Sequence, residues 1–249
     1  MLTAAQTLGF SPFSPLHVVV LGVFGLFLWA LVAAGREARR NGAGRELERW
    51  LGGGVLAIWI LLTVYWLAPE RLSIQISLPL HLCDLANLIA ALALLCRARF
   101  WRVLLHYWAF GLSTQAFITP TVSGGPESLY FWTFWSSHFA IVGAAVYDVL
   151  VRGFATDWRD FRTAFGATFA WVAFVFILNI FLGTNYGYVG EKQPATPTLI
   201  TALGPWPWRA FAIMAIATAG FALLTLVSLA AQAAVRHRPS PEPSQTRGS

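Results

Sequence analysis

Apolar residues in this chain come in long unbroken runs, neither alternating with polar ones nor recurring every third or fourth position. A helix rising 1.5 Å per residue needs roughly 20 apolar residues to cross a hydrocarbon core of about 30 Å. Seven runs reach or approach that length, at about 16–34, 50–67, 79–96, 101–118, 130–151, 161–181 and 205–235. They predict an all-α fold, a polytopic bundle of seven transmembrane helices forming one domain over residues 1–235. Only Cys96-Arg-Ala-Arg-Phe100 separates the third run from the fourth, which predicts a tight helical hairpin. The last run is long enough to tilt or to project past the membrane. Residues 236–249 are polar and rich in Pro and Ser and read as a disordered tail. The first sixteen residues contain no Lys or Arg, so they lack the basic start of a cleaved signal peptide, and the first run is expected to remain as a helix.

Composition agrees with the pattern. The chain is 57% hydrophobic and 11% charged, whereas a soluble domain carries roughly 25% charged residues. A disordered chain, a secreted disulfide scaffold and an ordinary cytosolic enzyme are thereby excluded. Cys83 and Cys96 are the only cysteines and share one apolar run, so no disulfide framework is implied. The net charge of +6 raises the question of nucleic acid, and the placement of the charges answers it. Fourteen of the 17 basic residues fall on one side of the predicted bundle: Arg36, Arg39, Arg40, Arg45 and Arg49; Arg97, Arg99 and Arg102; Arg152, Arg159 and Arg162; Arg236, Arg238 and Arg247. Only Arg71, Lys192 and Arg209 lie on the other. An excess of Lys and Arg marks cytoplasmic loops. The N-terminus is therefore expected outside and the C-terminus in the cytoplasm of a cell (inner) membrane, with lipid and not nucleic acid as partner. Trp50, Trp101 and Trp158 mark the inner interface, and Trp132, Trp135, Trp206 and Trp208 the outer one. No internal repeat supports an inverted-repeat transporter.

Polar side chains inside spans carry the chemistry, because each costs a few kcal/mol unless it faces protein or water. At 100° per residue, His81, Cys83, Asp84 and Asn87 fall within one arc of the third helix, opposite Leu82, Leu85, Ala86 and Ile89. Thr114 and Gln115 lie near the outer end of the fourth helix, and His138 follows Ser136 and Ser137 in the fifth. Asn179 sits in the last turn of the sixth, ahead of Gly183-Thr-Asn-Tyr186. All belong to the outer half, whereas the inner halves read as almost purely apolar. A polar pocket open to the outer leaflet is expected. Taken singly, Asn87, Gln115 and Asn179 suit interhelical hydrogen bonding and Cys83 a small core site. His106 reads as a packing residue, the Tyr130–Trp135 run as an interfacial belt, and Asp148 as a partner for neighbouring arginines. Cys, Asp and His at one depth favour a functional pocket instead.

Several stretches, Leu78-Pro-Leu-His-Leu-Cys83, Ser137-His138, Leu182-Gly-Thr-Asn-Tyr186 and Leu203-Gly-Pro-Trp-Pro-Trp208, resemble the bacterial YwaF-like membrane proteins, which are related to the animal transmembrane protein 164 family. The resemblance runs from about Trp50 to Trp208. The animal branch is described as an acyltransferase that moves a fatty acyl chain onto a lyso-ether phospholipid through a cysteine acyl intermediate. The chain also looks similar to the androgen-induced-protein hydrolases of lipid esters, which use a threonine and a histidine. The resemblance implies that the cysteine falls on Cys83 and the histidine on His138.

Two readings follow. In the first, the protein is a lipid acyltransferase or lipid-ester hydrolase with a phospholipid or lysophospholipid as substrate. Cysteine forms acyl intermediates readily once a base removes its proton. His138 comes from another helix and can face Cys83, whereas His81 lies about 160° away on the same one. Asp84 is expected to orient a histidine as the third member of a triad, or to bond only His81. His81, Asn87, Gln115, Asn179, Asn185 and Tyr186 are expected to contact substrate, with amides donating to an oxyanion. Cys83 is expected roughly 5–8 Å below the outer boundary, near the ester bonds of a glycerolipid. The alternative is a transporter, proton relay or sensor, with intramembrane Asp and His as proton carriers. A zinc site at His81, Cys83, Asp84 and His138 has suitable ligand types, but His81 and Cys83 diverge on their helix. Neither metal nor cofactor is expected, and oligomeric state is not legible in the sequence.

Overall fold

A computed structural model describes residues 10–122, 124–192 and 199–237; the tail expected at 236–249 lies almost wholly outside them. Seven α-helices follow one another, and no strand occurs among the described residues. Helix α1 (Pro15–Arg40) opens on Ser14, whose hydroxyl accepts from the His17 N–H at 3.3 Å, with proline in the first turn. It closes with Arg39 and Arg40, cations placed where the helix dipole is negative. Helix α2 (Gly44–Leu67) and helix α3 (Leu82–Cys96) follow. Arg97 in the left-handed conformation (φ 57°) stops α3 and turns the chain into α4 (Arg99–Trp108), the expected hairpin. Helix α5 (Leu129–Leu150) starts at the Ser128 cap. In α6 (Trp158–Leu182) Asp157 and Asp160 form a reciprocal capping box, and Gly183 (φ 59°) ends the helix. Helix α7 (Trp208–Arg236) completes the bundle.

Several helix limits differ from the sequence reading, and three of the differences bear on the interior of the bundle. Helix α2 begins at Gly44 rather than near 50, because buried Glu48 finds Arg97, Arg45 and Arg152 as partners and charge does not end the helix there. Residues 79–81 remain irregular, and α3 is only 15 residues long. The fourth segment keeps α geometry only to Trp108, then passes through a π turn (Ala109–Ser113) and a 3₁₀ turn (Thr114–Phe117).

Helices α1, α2, α6 and α7 are long and apolar enough to cross a membrane. Their outer faces carry exposed apolar residues such as Trp29, Leu61 and Phe181, as lipid-facing surfaces do. Helices α3, α4 and α5 form the buried centre. Small residues bring α3 close to its neighbours: Ala86, Ala90 and Ala93 are fully buried. Gly52 of α2 meets Leu94 and Leu95 so closely that a Cβ there would lie 2.8 Å from the Leu95 Cγ.

The end of the bundle that carries the arginines is closed by ion pairs. Glu48 receives Arg97 Nε at 2.6 Å, and Asp148 receives Arg102 Nε at 2.9 Å and Arg152 Nη1 at 3.0 Å. Asp160 receives Arg99 through Nε at 3.0 Å and Nη2 at 2.5 Å. Arg45 also donates to the carbonyls of Leu94 (3.0 Å) and Leu95 (2.5 Å), and Arg152 to that of Ala93 (3.0 Å). These are the carbonyls that the C-terminus of α3 leaves without intrahelical partners. Asp148 therefore meets the arginines of the adjoining loop and hairpin, as the sequence led one to expect. The arginine end is not purely apolar, however, since Glu48 lies fully buried within it.

Candidate functional site

The irregular 79–81 segment delivers the chain into α3 at His81, the N-cap, in extended conformation (φ −65°, ψ 148°). Its ring packs on that of Tyr186, with centroids 4.8 Å apart. Cys83 and Asp84 are the second and third residues of the first turn, at the positive end of the helix dipole. Asp84 stands three residues after the N-cap His81, where an acidic side chain faces the positive end of the helix dipole. One turn on, Asn87 Nδ2 donates to the Cys83 carbonyl at 2.9 Å, leaving the amide oxygen of Asn87 unused by that bond.

His138 is buried in α5 against the Phe134 ring, centroids 4.4 Å apart. Its Nδ1 lies 2.7 Å from the Phe134 carbonyl oxygen. A carbonyl only accepts, so Nδ1 carries the hydrogen and Nε2 carries the lone pair. Among the described residues Nε2 makes no hydrogen bond. The group that orients this ring is therefore the Phe134 carbonyl. Among the described residues no hydrogen bond joins Asp84 to His138, although both line the same cavity.

A cavity of about 860 Å³ gathers these groups, within the range of small-molecule and cofactor sites. Cys83, Asp84, His138, His81, Asn87 and Gln115 all line it. The change of helix type after Trp108 contributes its floor and side, since Gly111, Leu112, Ser113 and Gln115 line it too. Such π turns inside helices recur at functional sites because they re-aim the side chains that follow. Below the cavity, toward the arginine end, Tyr107, Tyr147 and Phe221 are almost completely buried. At its flank, Ile58 of α2 and Ile216 of α7 line the cavity while remaining 53% and 57% exposed. Part of the cavity's rim therefore lies on the exposed apolar surface of α2 and α7.

Asn179, Asn185 and Tyr186 do not line this cavity, contrary to the expectation that they contact substrate. They build the loop above it. Asn179 Oδ1 accepts from Tyr186 N (2.8 Å) and Thr184 Oγ1 (2.7 Å), and its Nδ2 donates to the Tyr186 carbonyl (2.9 Å). Asn185 Oδ1 accepts from Gly190 N at 2.8 Å, and the Tyr186 hydroxyl donates to the Ile74 carbonyl at 2.6 Å. Arg209, fully buried at the start of α7, ties the same loop down by donating to the carbonyls of Tyr188 (3.0 Å), Gly190 and Lys192 (3.2 Å). Tyr186 thus acts on the site indirectly, as the surface behind His81.

Other lining residues were not singled out from the sequence. Tyr130 and Thr133 line the cavity with Ser136 and Ser137, although the Tyr130–Trp135 run read as an interfacial belt. Polar positions 130, 133 and 137 recur at nearly one turn, the signal that separates a cavity-facing stripe from a belt. Trp135, expected at the outer interface, is instead buried against Phe10 and His17.

No curated protein and no solved structure matches the chain. The model of the TMEM164 family matches residues 9–225, which takes in α1 to α6 and most of α7 with the whole cavity between them. The apolar helices make this an integral, multi-pass membrane protein, and the chain belongs to the TMEM164 family.

Proposed function

We propose that the protein is an intramembrane lipid acyltransferase or lipid-ester hydrolase working through a thioester on Cys83. The observation that carries this reading is that Cys83 and His138 line one cavity, the histidine presenting an unbonded Nε2 lone pair. That nitrogen takes the thiol proton as Sγ bonds to the carbonyl carbon of a lipid ester. The ester C–O bond breaks, the imidazolium returns the proton to the departing alkoxide, and the acyl chain stays on sulfur. In the second half, His138 deprotonates water or an acceptor hydroxyl. The new oxygen attacks the thioester, the C–S bond breaks, and the sulfur recovers its proton. Asp84 and Asn87 hold the first turn of α3 in place, while His81 and Gln115 flank the reacting ester. Resemblance to the animal branch of the family agrees with a cysteine acyl intermediate.

With the arginine end in the cytoplasm, the cavity belongs to the outer half of the inner membrane, within reach of glycerolipid ester bonds. Reporter fusions after Val235 are expected to behave as cytoplasmic, and fusions within 187–200 as external. A transporter would need a path past Tyr107, Tyr147 and Phe221, which are tightly packed. The direct test is mass spectrometry of Cys83 after incubation of the nanodisc-embedded protein with acyl-labelled lipid esters. A hydroxylamine-labile acyl adduct on Cys83, absent from Cys96, is expected; an unmodified Cys83 beside normal lipid binding removes the acyl reading.

A further inference from the structure

One tyrosine of the loop above the cavity is held in a backbone conformation that its side chain disfavours. Among the described residues three other than glycine have a positive φ: Phe13 (63°), Arg97 (57°) and Tyr188 (61°). Phe13 and Arg97 stand beside helix ends, at the start of α1 and the end of α3. Of the three, Tyr188 alone lines the cavity. For a bulky residue that region is strained, and such strain persists only where the surroundings over-determine it.

The surroundings of Tyr188 do so. Its N–H donates to the Asn185 carbonyl at 3.2 Å, and its carbonyl accepts from Nε of the fully buried Arg209 at 3.0 Å. The preceding Gly187, also left-handed at φ 67°, lies so close to Trp171 that a Cβ there would come 2.7 Å from the Trp171 Cη2. Val189, next along, is fully buried, and its carbonyl accepts from the Trp206 indole at 3.1 Å. Each of these contacts fixes the backbone, and together they aim the phenol into the cavity.

The wall carries several donors: Trp59 and Trp171 bring indole N–H groups, Asn87 and Gln115 bring amides, and Tyr130 and Tyr188 bring hydroxyls. The nucleophile of the proposed reaction, Cys83, is an electrostatic neighbour of both hydroxyls. Tyr130 stands near the start of α5, 40% exposed, and its backbone shows no such strain. Burial pushes the Tyr188 hydroxyl above the usual phenol range, and Cys83 adds to that rise. The group therefore keeps its proton and stays a donor beside a thiolate.

We infer that the Tyr188 hydroxyl is the catalytic donor that stabilises the oxyanion formed on Cys83, a role that the sequence assigned to amides. The inference rests on the acyl-transfer reading and deepens it. As Cys83 Sγ bonds to the ester carbonyl carbon, the π pair of the C=O bond moves onto oxygen. The phenol donates a hydrogen bond to that oxygen without giving up its proton. When the C=O bond re-forms, the ester C–O bond breaks and the alkoxide takes its proton from His138, so Tyr188 ends as it began. A donor placed for the oxyanion, and not for the ground-state carbonyl, lowers the barrier without tightening substrate binding.

The test uses Tyr188→Phe, which removes one oxygen and keeps the ring. Nanodisc-embedded protein is mixed with p-nitrophenyl palmitate, and the burst of p-nitrophenolate and the palmitoyl adduct on Cys83 are followed. Because p-nitrophenolate departs without a proton, the burst reads the attack that creates the oxyanion. Tyr188→Phe should slow the burst by about 100-fold, with apparent KM and thermal midpoint unchanged. Its affinity for palmityl trifluoromethyl ketone, which captures Cys83 as a hemithioketal oxyanion, should fall by the same factor. A burst at the wild-type rate, or a loss confined to KM or to the thermal midpoint, overturns the inference. So does the same loss in Tyr130→Phe with Tyr188→Phe unimpaired. In each of those cases the wild-type adduct still forms and the acyl-transfer reading stands. A wild-type protein that gives neither burst nor adduct removes that reading and the inference with it.

Discussion

The two ends of this bundle solve opposite problems with the same kind of residue. At the arginine end, Glu48, Asp148 and Asp160 are buried, and each is met by at least one guanidinium. The guanidinium groups left over close the last carbonyls of α3. At the cavity end, Asp84 begins the helix whose far end those guanidinium groups close, makes no ion pair among the described residues, and borders open space with Cys83 and His138. The contrast shows how a helix of 15 residues is anchored at one end so that its other end can present polar groups. Charge that is paired fixes position, whereas polarity left without protein partners is available to a ligand.

The sharpest way to break this comparison is at Glu48. Removing one partner of a buried pair leaves the others uncompensated and costs about 3–5 kcal/mol. Glu48→Ala should therefore strongly lower the thermal midpoint in detergent, followed by fluorescence-detected gel filtration. Arg97→Ala should cost less, because the Arg97 side chain is 42% exposed and water replaces part of its partner. Equal, negligible shifts for both would make the arginine end an ordinary surface network.

The next effect belongs to the cavity end and should appear in rate and not in stability. In the proposed reaction His138→Gln removes the base, so single-turnover acylation of Cys83 should fall by at least about 100-fold, while the thermal midpoint stays near wild type. His81→Gln should mainly raise the apparent KM, since its ring packs on Tyr186 and lines the cavity where the proposed substrate would sit. The reverse pattern would exchange the roles of the two histidines.

The sequence made the bundle legible because the hydrophobic runs are long and because cations cluster in alternate loops. The face of α3 was legible for the same reason: a 100° step places His81, Cys83, Asp84 and Asn87 together, and all four line the cavity. What one helix could not reveal was the direction taken by polar groups at its ends. Asn179 shares the depth of the cavity residues, yet the chain turns at Gly183 and the side chain is claimed by Thr184 and Tyr186. Glu48 was hidden because its partners Arg97 and Arg152 lie about 50 and 100 residues on, beyond any local pattern. The π turn at Ala109–Ser113 likewise has no hydrophobic signature, being a change in backbone pairing inside an apolar run.

Asn179 therefore sharpens the comparison from the other side, as a polar residue at the depth of the cavity that behaves like those at the arginine end. Asn179→Ala strips bonds from buried backbone and hydroxyl groups, each costing roughly 1–3 kcal/mol if left unsatisfied. Its loss should appear as lowered thermal stability of about 2 kcal/mol, with little change in the acylation rate of the folded fraction. A variant of normal stability with a raised KM would return Asn179 to the substrate.

The smallest effect is expected at Asp157, which tests whether the arginine end is built from caps as well as ion pairs. Asp157 Oδ1 accepts from Arg159 N at 2.7 Å and Asp160 N at 3.0 Å, and Asp160 Oδ2 accepts in return from Asp157 N at 3.0 Å. Asp157→Ala removes the cap and should cost about 1 kcal/mol, while leaving Asp160 free to keep Arg99. Asp157→Asn keeps an oxygen acceptor and should recover most of that loss. The two differ in their response to acid. The backbone N–H of Asp160 holds the Asp157 carboxyl below its usual range, so the charged form is favoured in the folded state. That contribution is fully present above the unfolded value of about 3.9 and disappears as pH falls through the lower folded value. Thermal midpoints measured between pH 7 and pH 3 should therefore fall more steeply for the wild type than for Asp157→Asn, and the two curves should converge at the acid end. Parallel curves would mean that the carboxylate charge contributes nothing and that the cap acts through its geometry alone.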